Sequence, residues 1–311
     1  MKEEEKMSKK ALIGLIFIVL IISTVIVSIF LTMPQENKSV PSVSNTIGVI
    51  TIEGVIGDTT NILGIPQVTG DPVEQIRKAQ EDSTVKAVVV KINSPGGSAA
   101  KSVEIYTELK RLKETGKKVI ISMGDAAASG GYMAACGGDI IVANPATITG
   151  SIGVIMQYTN YEELYDKLGL KEITIKSGPY KDMGSPTRDL TPEEKKILQG
   201  VIDDTYEQFV EIVSEGRKMP IKKVKELADG RIFTGKQALK VGLVDKLGDF
   251  YDAVDIAAKE AGIHSRPVLK YYTTPNPLSI LFGSGAKSNL EGTGLEILRL
   301  LFIDKWSLNY K

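Results

Sequence analysis

The chain has 311 residues, and 38 Lys plus Arg balance 38 Asp plus Glu, so the formal net charge is zero. This balance gives no electrostatic footprint for nucleic acid, and we expect no nucleic-acid partner. A single cysteine, Cys136, and a single histidine, His264, exclude an intrachain disulfide and argue against a zinc site, so we expect no metal and no other cofactor.

An apolar segment lies near the N-terminus. Residues 11–33 are uncharged and rich in Ile, Val and Leu, and the tail at 1–10 that precedes them contains four lysines. About 20 apolar residues span a bilayer, whereas the apolar region of a cleaved signal peptide has about 7–15, so we expect a retained transmembrane anchor. The run has no polar face, which argues against a buried core helix. The positive-inside rule places residues 1–10 in the cytoplasm and the residues after the anchor on the outer side of the cell membrane.

The residues after the anchor predict an α/β domain. A polar linker is expected at 34–46, a folded domain at 47–262 and a C-terminal extension, regulatory or flexible, at 263–311. Strand and helix patterns alternate, which favours βαβ units and a mainly parallel sheet. The predicted strands are 47–52, 85–92, 117–123, 139–143, 152–156 and 173–175; the predicted helices begin at 72, 100, 130, 161, 191, 221 and 250.

Two glycine-rich loops follow predicted strands. Residues 93–97 come after one strand, and their glycines let the backbone turn and point N–H groups at a developing oxyanion. Ser129, flanked by small residues, comes after the next strand. The carboxyl ends of parallel strands meet at one edge of a sheet, where sites gather. An ordinary turn and a helix cap are the alternatives for these two loops.

The base that would activate Ser129 is restricted by composition. A serine–histidine–aspartate triad would need His264, which is remote in the sequence, so a lysine is the better candidate. Lys181 lies in a stretch constrained by glycine and proline, and a lysine acts as a base when burial favours its neutral amine. The alternative is a solvated surface lysine.

Together these motifs resemble a known family. The ordered segments are SPGG at 94–97, AASGGY at 127–132, TGSIGV at 149–154 and SGPYKD at 177–182. They are similar to those of bacterial signal peptide peptidase A in its short, single-anchor form, and the resemblance spans about 47–262. It implies a Clp-protease/crotonase-like fold, a repeated ββα spiral.

The resemblance also implies roles. Ser129 is then the nucleophile, Lys181 the general base and Ser151 the residue that orients the lysine, while Gly97 and Gly130 supply the oxyanion hole. The family implies a serine endopeptidase with a Ser–Lys dyad that degrades cleaved signal peptides and other extended chains at the outer side of the membrane. It also implies a homo-oligomeric ring in which neighbouring subunits bring serine and lysine together.

Two other functions fit the same motifs. A crotonase-like acyl-CoA enzyme would share the glycine loops, but it usually needs a glutamate and a cytoplasmic substrate. A catalytically silent membrane scaffold would keep the assembly and show neither serine labelling nor proteolysis.

Overall fold

The structure, a computed structural model, describes residues 45–57 and 70–273. The predicted cytoplasmic tail, the anchor at 11–33, nearly all of the linker and most of the C-terminal extension lie outside these ranges. None of the helices within them has the length and hydropathy that a membrane span requires.

The described strands form one mixed sheet in an α/β fold. Neighbouring strands follow the order β6-β5-β3-β2-β1-β8, with β4 beside β3 and β7 beside β4. All pairs are parallel except β5 with β6, as expected for a mainly parallel sheet. The strands are β1 Thr46–Glu53, β2 Val85–Ser94, β3 Lys118–Ala128, β4 Ile140–Ala143, β5 Ile148–Gly150, β6 Ile232–Thr234, β7 Lys246–Leu247 and β8 Val268–Tyr271.

Helices cover both faces of the sheet. They are α1 Pro72–Glu81, α2 Ala99–Glu114, α3 Gly130–Ala135, α4 Glu162–Leu168, α5 Pro192–Arg217, α6 Ile221–Leu227, α7 Gly235–Val241 and α8 Phe250–Glu260. Alternation along β2 separates two cores, because successive strand side chains point to opposite faces. Val88 and Val90 pack with α1, α2, α3 and α5, whereas Ala87 and Val89 pack with α8.

Strand β3 has two neighbours in succession on one side. Its residues 120–123 pair with β4, and its residues 126–128 pair with β5. The sequence predicted that this strand ends at Met123, but pairing with β5 carries it to Ala128. The extension places Ser129 directly after the last paired residue.

Helix starts follow the capping residues in the sequence. Asp71 accepts a hydrogen bond from the Val73 amide at 3.1 Å, and Pro72 is the first residue of α1. The order Asp-Pro-Val-Glu at 71–74 predicts that Glu74 reaches back to the cap; this is wrong, because Glu74 pairs with Lys78 at 2.7 Å instead. At α5 the order Thr-Pro-Glu-Glu at 191–194 predicts a helix cap, which is confirmed by a capping box with Thr191 and Glu194 as its two members.

Two predicted strands are wrong. Residues 152–156 and 173–175 form no strand, because no other described segment pairs with them. Ile173 and Ile175 are 85% and 96% exposed, so their apolar alternation does not report a buried face. The strand in the first region lies slightly earlier, at Ile148–Gly150, and β8 lies beyond residue 262, where it pairs with β1.

Candidate active site

Three loops meet where β2, β3 and β5 end. Because these strands are parallel and adjacent, residues 95–98, 129–130 and 151 emerge at the same edge of the sheet. Residues from all three loops line a cavity of about 740 Å³. Four of the five residues predicted from sequence border this cavity: Gly97, Ser129, Gly130 and Ser151.

Ser129 occupies a strained turn between β3 and α3. Its backbone has φ 52° and ψ −122°, a conformation that costs a non-glycine residue about 1–3 kcal/mol. The turn is fixed on both sides, since the Ser129 amide donates to Gly150 O at 2.8 Å and its carbonyl accepts from Met133 N at 2.9 Å. A sharp strand-to-helix turn is how many hydrolases expose a nucleophilic serine.

The hydroxyl of Ser129 does not cap the helix. Ser129 is the N-cap residue of α3, yet its side chain accepts no capping hydrogen bond. The half-buried hydroxyl therefore faces the cavity without a partner among the described residues. This geometry disfavours the alternative of a plain helix cap.

Glycines are required beside Ser129 for steric reasons. A Cβ built on Gly96 would lie 2.8 Å from the Ser129 Cβ and 2.8 Å from the Gly130 nitrogen. A Cβ on Gly97 would lie 2.2 Å from the Ile56 carbonyl oxygen, and one on Gly130 would lie 2.3 Å from Ser102 Oγ. A side chain at Gly96 would push the two loops apart, one at Gly97 would displace its loop from Ile56, and one at Gly130 would require Ser102 to move. Sequence reasoning did not single out Gly96, although the SPGG motif contains it.

Two backbone amides beside the serine have no acceptor within the described chain. The Gly97 loop is held by hydrogen bonds on either side, from Ile56 N to Gly96 O and from Ser98 N to Ile56 O, both 2.8 Å. Neither Gly97 N nor Gly130 N, the first amide of α3, donates a backbone or side-chain hydrogen bond there. A carbonyl oxygen entering the cavity is the kind of group that such amides bind.

Ser151 lies on the third loop. It has φ 50°, and its amide donates to Arg231 O at 2.9 Å. The preceding Thr149 is fully buried and donates from Oγ1 to Ala127 O at 2.7 Å, which joins this loop to the end of β3. Ser151 is thus held rigidly at the cavity with its hydroxyl available.

Lys181 does not border the cavity within one chain. It is exposed and lies in a turn in which its amide donates to Gly178 O at 3.3 Å. This turn belongs to residues 155–190, a segment that we call the arm and in which no residue is buried. The two legs of the arm are joined by Tyr161 N donating to Pro186 O at 2.5 Å and by Asn160 with Asp189 at 2.7 Å.

The cavity wall is largely apolar. Helix α5 contributes Val201, Ile202 and Phe209, and α3 contributes Met133. No lysine, histidine or glutamate borders the cavity among the described residues, and the one carboxylate that does so there is Asp229. Sequence reasoning did not select Asp229. A side-chain hydrogen bond from Arg231 lowers the pKa of Asp229 to about 2, so this group is ionised.

Other candidate nucleophiles and bases lie elsewhere. Burial raises the pKa of Cys136, the C-cap residue of α3, to about 12, so its thiol stays protonated. His264 is exposed and does not border the cavity, which disfavours a histidine triad. Within the described ranges, no group of three or more His, Cys, Asp or Glu side chains is placed to hold a metal ion.

Comparison with known proteins adds a family to this geometry. A model described as peptidase family S49 matches residues 111–264, and a Clp protease model matches residues 65–147. The chain is 50% identical over 220 residues to a putative protease of Synechocystis, which covers 68% of this chain and 79% of the relative.

Two further relatives carry more specific names. A putative signal peptide peptidase SppA of Enterococcus faecium is 41% identical over 225 residues, covering 71% of this chain and 65% of the relative. Protease 4 of Salmonella typhi is 37% identical over 248 residues, covering 79% and 40%. The chain thus spans less than two thirds of the length of these two relatives.

Proposed function

The chain belongs to peptidase family S49 and is a serine protease with a Clp-protease-like fold, and we propose that Ser129 is its nucleophile and Lys181, from a neighbouring copy, its general base. The strained turn at Ser129 carries this proposal. It presents an uncapped hydroxyl to a cavity beside two amides that have no acceptor among the described residues.

The proposed reaction is acyl transfer through the serine. The neutral amine of Lys181 takes the hydroxyl proton as Ser129 Oγ attacks the peptide carbonyl carbon. The amides of Gly97 and Gly130 bind the resulting oxyanion. The lysine then gives its proton to the leaving amine, and water hydrolyses the acyl-enzyme. Ser151, at the same cavity, orients the amine through its hydroxyl.

A second copy of the chain supplies the base in this proposal. In the described chain no lysine borders the cavity, and the turn that carries Lys181 is exposed. The arm also exposes large apolar side chains, among them Ile155 at 82%, Ile173 at 85% and Ile175 at 96%. Exposed apolar surface of this kind marks interaction sites. In a homo-oligomeric ring, packing of the arm on a neighbouring subunit would bury these residues. It would also desolvate Lys181, which favours the neutral amine that a general base needs.

The substrates we propose are extended peptides, including signal peptides after their release. Residues 153–156 border the cavity. Within the described chain, their amides and carbonyls form no hydrogen bond to another backbone group. An extended peptide can satisfy such groups by pairing as an added strand. The apolar wall from α5 suits the apolar side chains of signal peptides. The sequence at 11–33 supports anchoring in the cell membrane, with the protease domain on the outer side.

The experiment mixes two inactive forms. Ser129→Ala and Lys181→Ala are each expected to lose at least about 10³-fold in peptide hydrolysis. If each site takes its serine and its lysine from different copies, random co-assembly at equal amounts restores about a quarter of the sites. A fluorophosphonate probe should label Ser129 in the restored assembly.

The matched control mixes Ser129→Ala with the double variant Ser129→Ala/Lys181→Ala, in which no site can hold both groups. Co-assembly of the two single variants without recovery would place the base in the same chain or in another residue. Labelling of a different residue would remove Ser129 as the nucleophile, and intact assembly without any labelling of the wild type would favour the silent scaffold.

A further inference from the structure

The turn that carries Lys181 is held by its next residue, Asp182. The Asp182 carboxylate accepts hydrogen bonds from Lys176 Nζ at 2.6 Å and from Arg188 Nε and Nη2 at 3.1 and 2.9 Å. Arg188 Nη2 also donates to the backbone carbonyl of Asp182 at 3.2 Å. The guanidinium therefore fixes both the side chain and the main chain of the residue adjoining the proposed base.

Arg188 binds a second carboxylate at the same time. Its Nη1 and Nη2 donate to the two oxygens of Glu194, at 2.8 and 2.6 Å. Two bidentate pairs use the planar fork of a guanidinium, which the single ammonium of a lysine does not reproduce. The Glu194 side chain is 2% exposed and that of Asp182 is 13% exposed, so water competes little for either pair.

Glu194 belongs to the helix that forms the wall of the serine cavity. It closes the capping box of α5, accepting from Thr191 N at 2.9 Å while its own amide donates to Thr191 Oγ1 at 3.2 Å. Farther along, α5 borders the cavity through Val201 and Ile202, and Phe209 is buried in the core. Arg188 thus connects the Lys181 turn to a helix that is anchored in the folded body.

The charges in this connection persist at working pH. Hydrogen bonds from Arg188 and then Lys176 hold the pKa of Asp182 below its ordinary value. Arg188, followed by the Thr191 amide, lowers the pKa of Glu194 to about 2. Glu194 and then Asp182 raise the pKa of Arg188 above its ordinary value. The two cations, Lys176 and Arg188, balance the two carboxylates.

We infer that Arg188 is a positioning residue for the reaction: it holds the Asp182 turn against the start of α5 so that the Lys181 amine reaches the serine at a fixed position. This inference rests on the proposed function, because it assumes that Lys181 is the base. Arg188 forms no hydrogen bond with Lys181 and does not border the cavity in the described chain, so it acts through the backbone of the turn, where it binds the carbonyl of Asp182. A misplacement of about 1 Å costs a reaction about 10²-fold.

The test measures kcat and KM of the full-length, assembled protein on one peptide. Arg188→Ala should lower kcat by about 10²-fold with KM little changed, because the peptide cavity is intact and only the proton transfer is misaligned. Arg188→Lys should fall between, and added guanidinium should restore part of the activity of Arg188→Ala whereas ammonium at the same concentration should not. Asp182→Asn should reproduce the loss of kcat from the other side of the pair.

Arg111→Lys is the matched control. Arg111 Nη1 donates at 2.6 Å to Glu108, whose side chain is 4% exposed, but both residues belong to α2 and neither belongs to the arm. The control should keep its kcat. The inference is overturned if Arg188→Lys and Asp182→Asn both keep the wild-type kcat in samples with unchanged assembly. It is also overturned if Arg111→Lys loses as much kcat as the Arg188 variants. Lys181→Ala, measured in parallel, separates the two ideas: if it stays active, the proposed base fails; if it is inactive while the Arg188 variants are normal, only the positioning role fails.

Discussion

Replacing Gly97 by alanine tests the oxyanion hole. The Cβ would lie 2.2 Å from the Ile56 carbonyl oxygen and 2.7 Å from the Ile56 nitrogen, both backbone atoms that no rotamer change can move. Restoring a carbon–oxygen contact of about 3.3 Å shifts the loop by about 1 Å. An amide displaced that far no longer meets the oxyanion, and loss of one such donor raises the barrier by about 2.7–4 kcal/mol. We expect kcat to fall about 10²–10³-fold.

The assay for Gly97→Ala is peptide hydrolysis together with the rate of fluorophosphonate labelling and the thermal unfolding midpoint. Gly116→Ala is the control, because Gly116 also has a positive φ, 84°, yet its Cβ would meet nothing within 4 Å. It should lose stability by about 1–2 kcal/mol from backbone strain and keep its kcat. If folded Gly97→Ala retains a kcat close to that of the wild type, this loop does not supply the oxyanion donor.

Two further predictions concern stability. Ser129→Gly relieves the strain at φ 52°, which is worth about 1–3 kcal/mol, whereas the added entropy of the unfolded chain costs about 0.5–1 kcal/mol. Ser129→Gly should therefore unfold at a higher temperature than Ser129→Ala. A lower unfolding midpoint would contradict the strain argument. At the β8 edge, burial raises the pKa of Asp82, but hydrogen bonds from Lys270, Thr84 and Tyr272 outweigh it and hold the pKa below its ordinary value. That contribution is present above about pH 4, the unfolded value, and is lost as pH falls towards the folded pKa. Urea unfolding should therefore find Asp82→Asn less stable than the wild type at neutral pH, with a gap that closes below about pH 4; a gap independent of pH would refute the assignment.

The regular parts of the fold were predictable because local signals agreed with tertiary packing. The caps at Asp71 and Thr191 and the apolar run at 85–92 gave α1, α5 and β2 close to their bounds. Strand β3 was cut short in the prediction because residues 124–128, glycine, aspartate and alanines, have low strand propensity, and pairing with β5 overrides it. Ile173–Ile175 looked like a strand, but a strand also needs a partner.

The site was predictable only in part. Residue types and order bring Gly97, Ser129 and Gly130 to one sheet edge, because loops after adjacent parallel strands emerge together. The positive φ of Ser129 does not follow from its residue type, which more often marks a helix cap. The role of Lys181 stays a prediction from resemblance, since it does not border the cavity within one chain. Asp229 carried only a turn signal, Asp-Gly, and its place at the cavity depends on long-range packing.

The edge of the sheet behind Ser129 rests on two strands of three residues each, β5 and β6. The β1–β2–β3 ladders, by contrast, run for most of the length of those strands. Segments with few paired residues open at a lower free energy than the core. Amide hydrogens of β5 and β6 should therefore exchange with solvent earlier than those of β2, and this edge can loosen and re-form while the core stays folded.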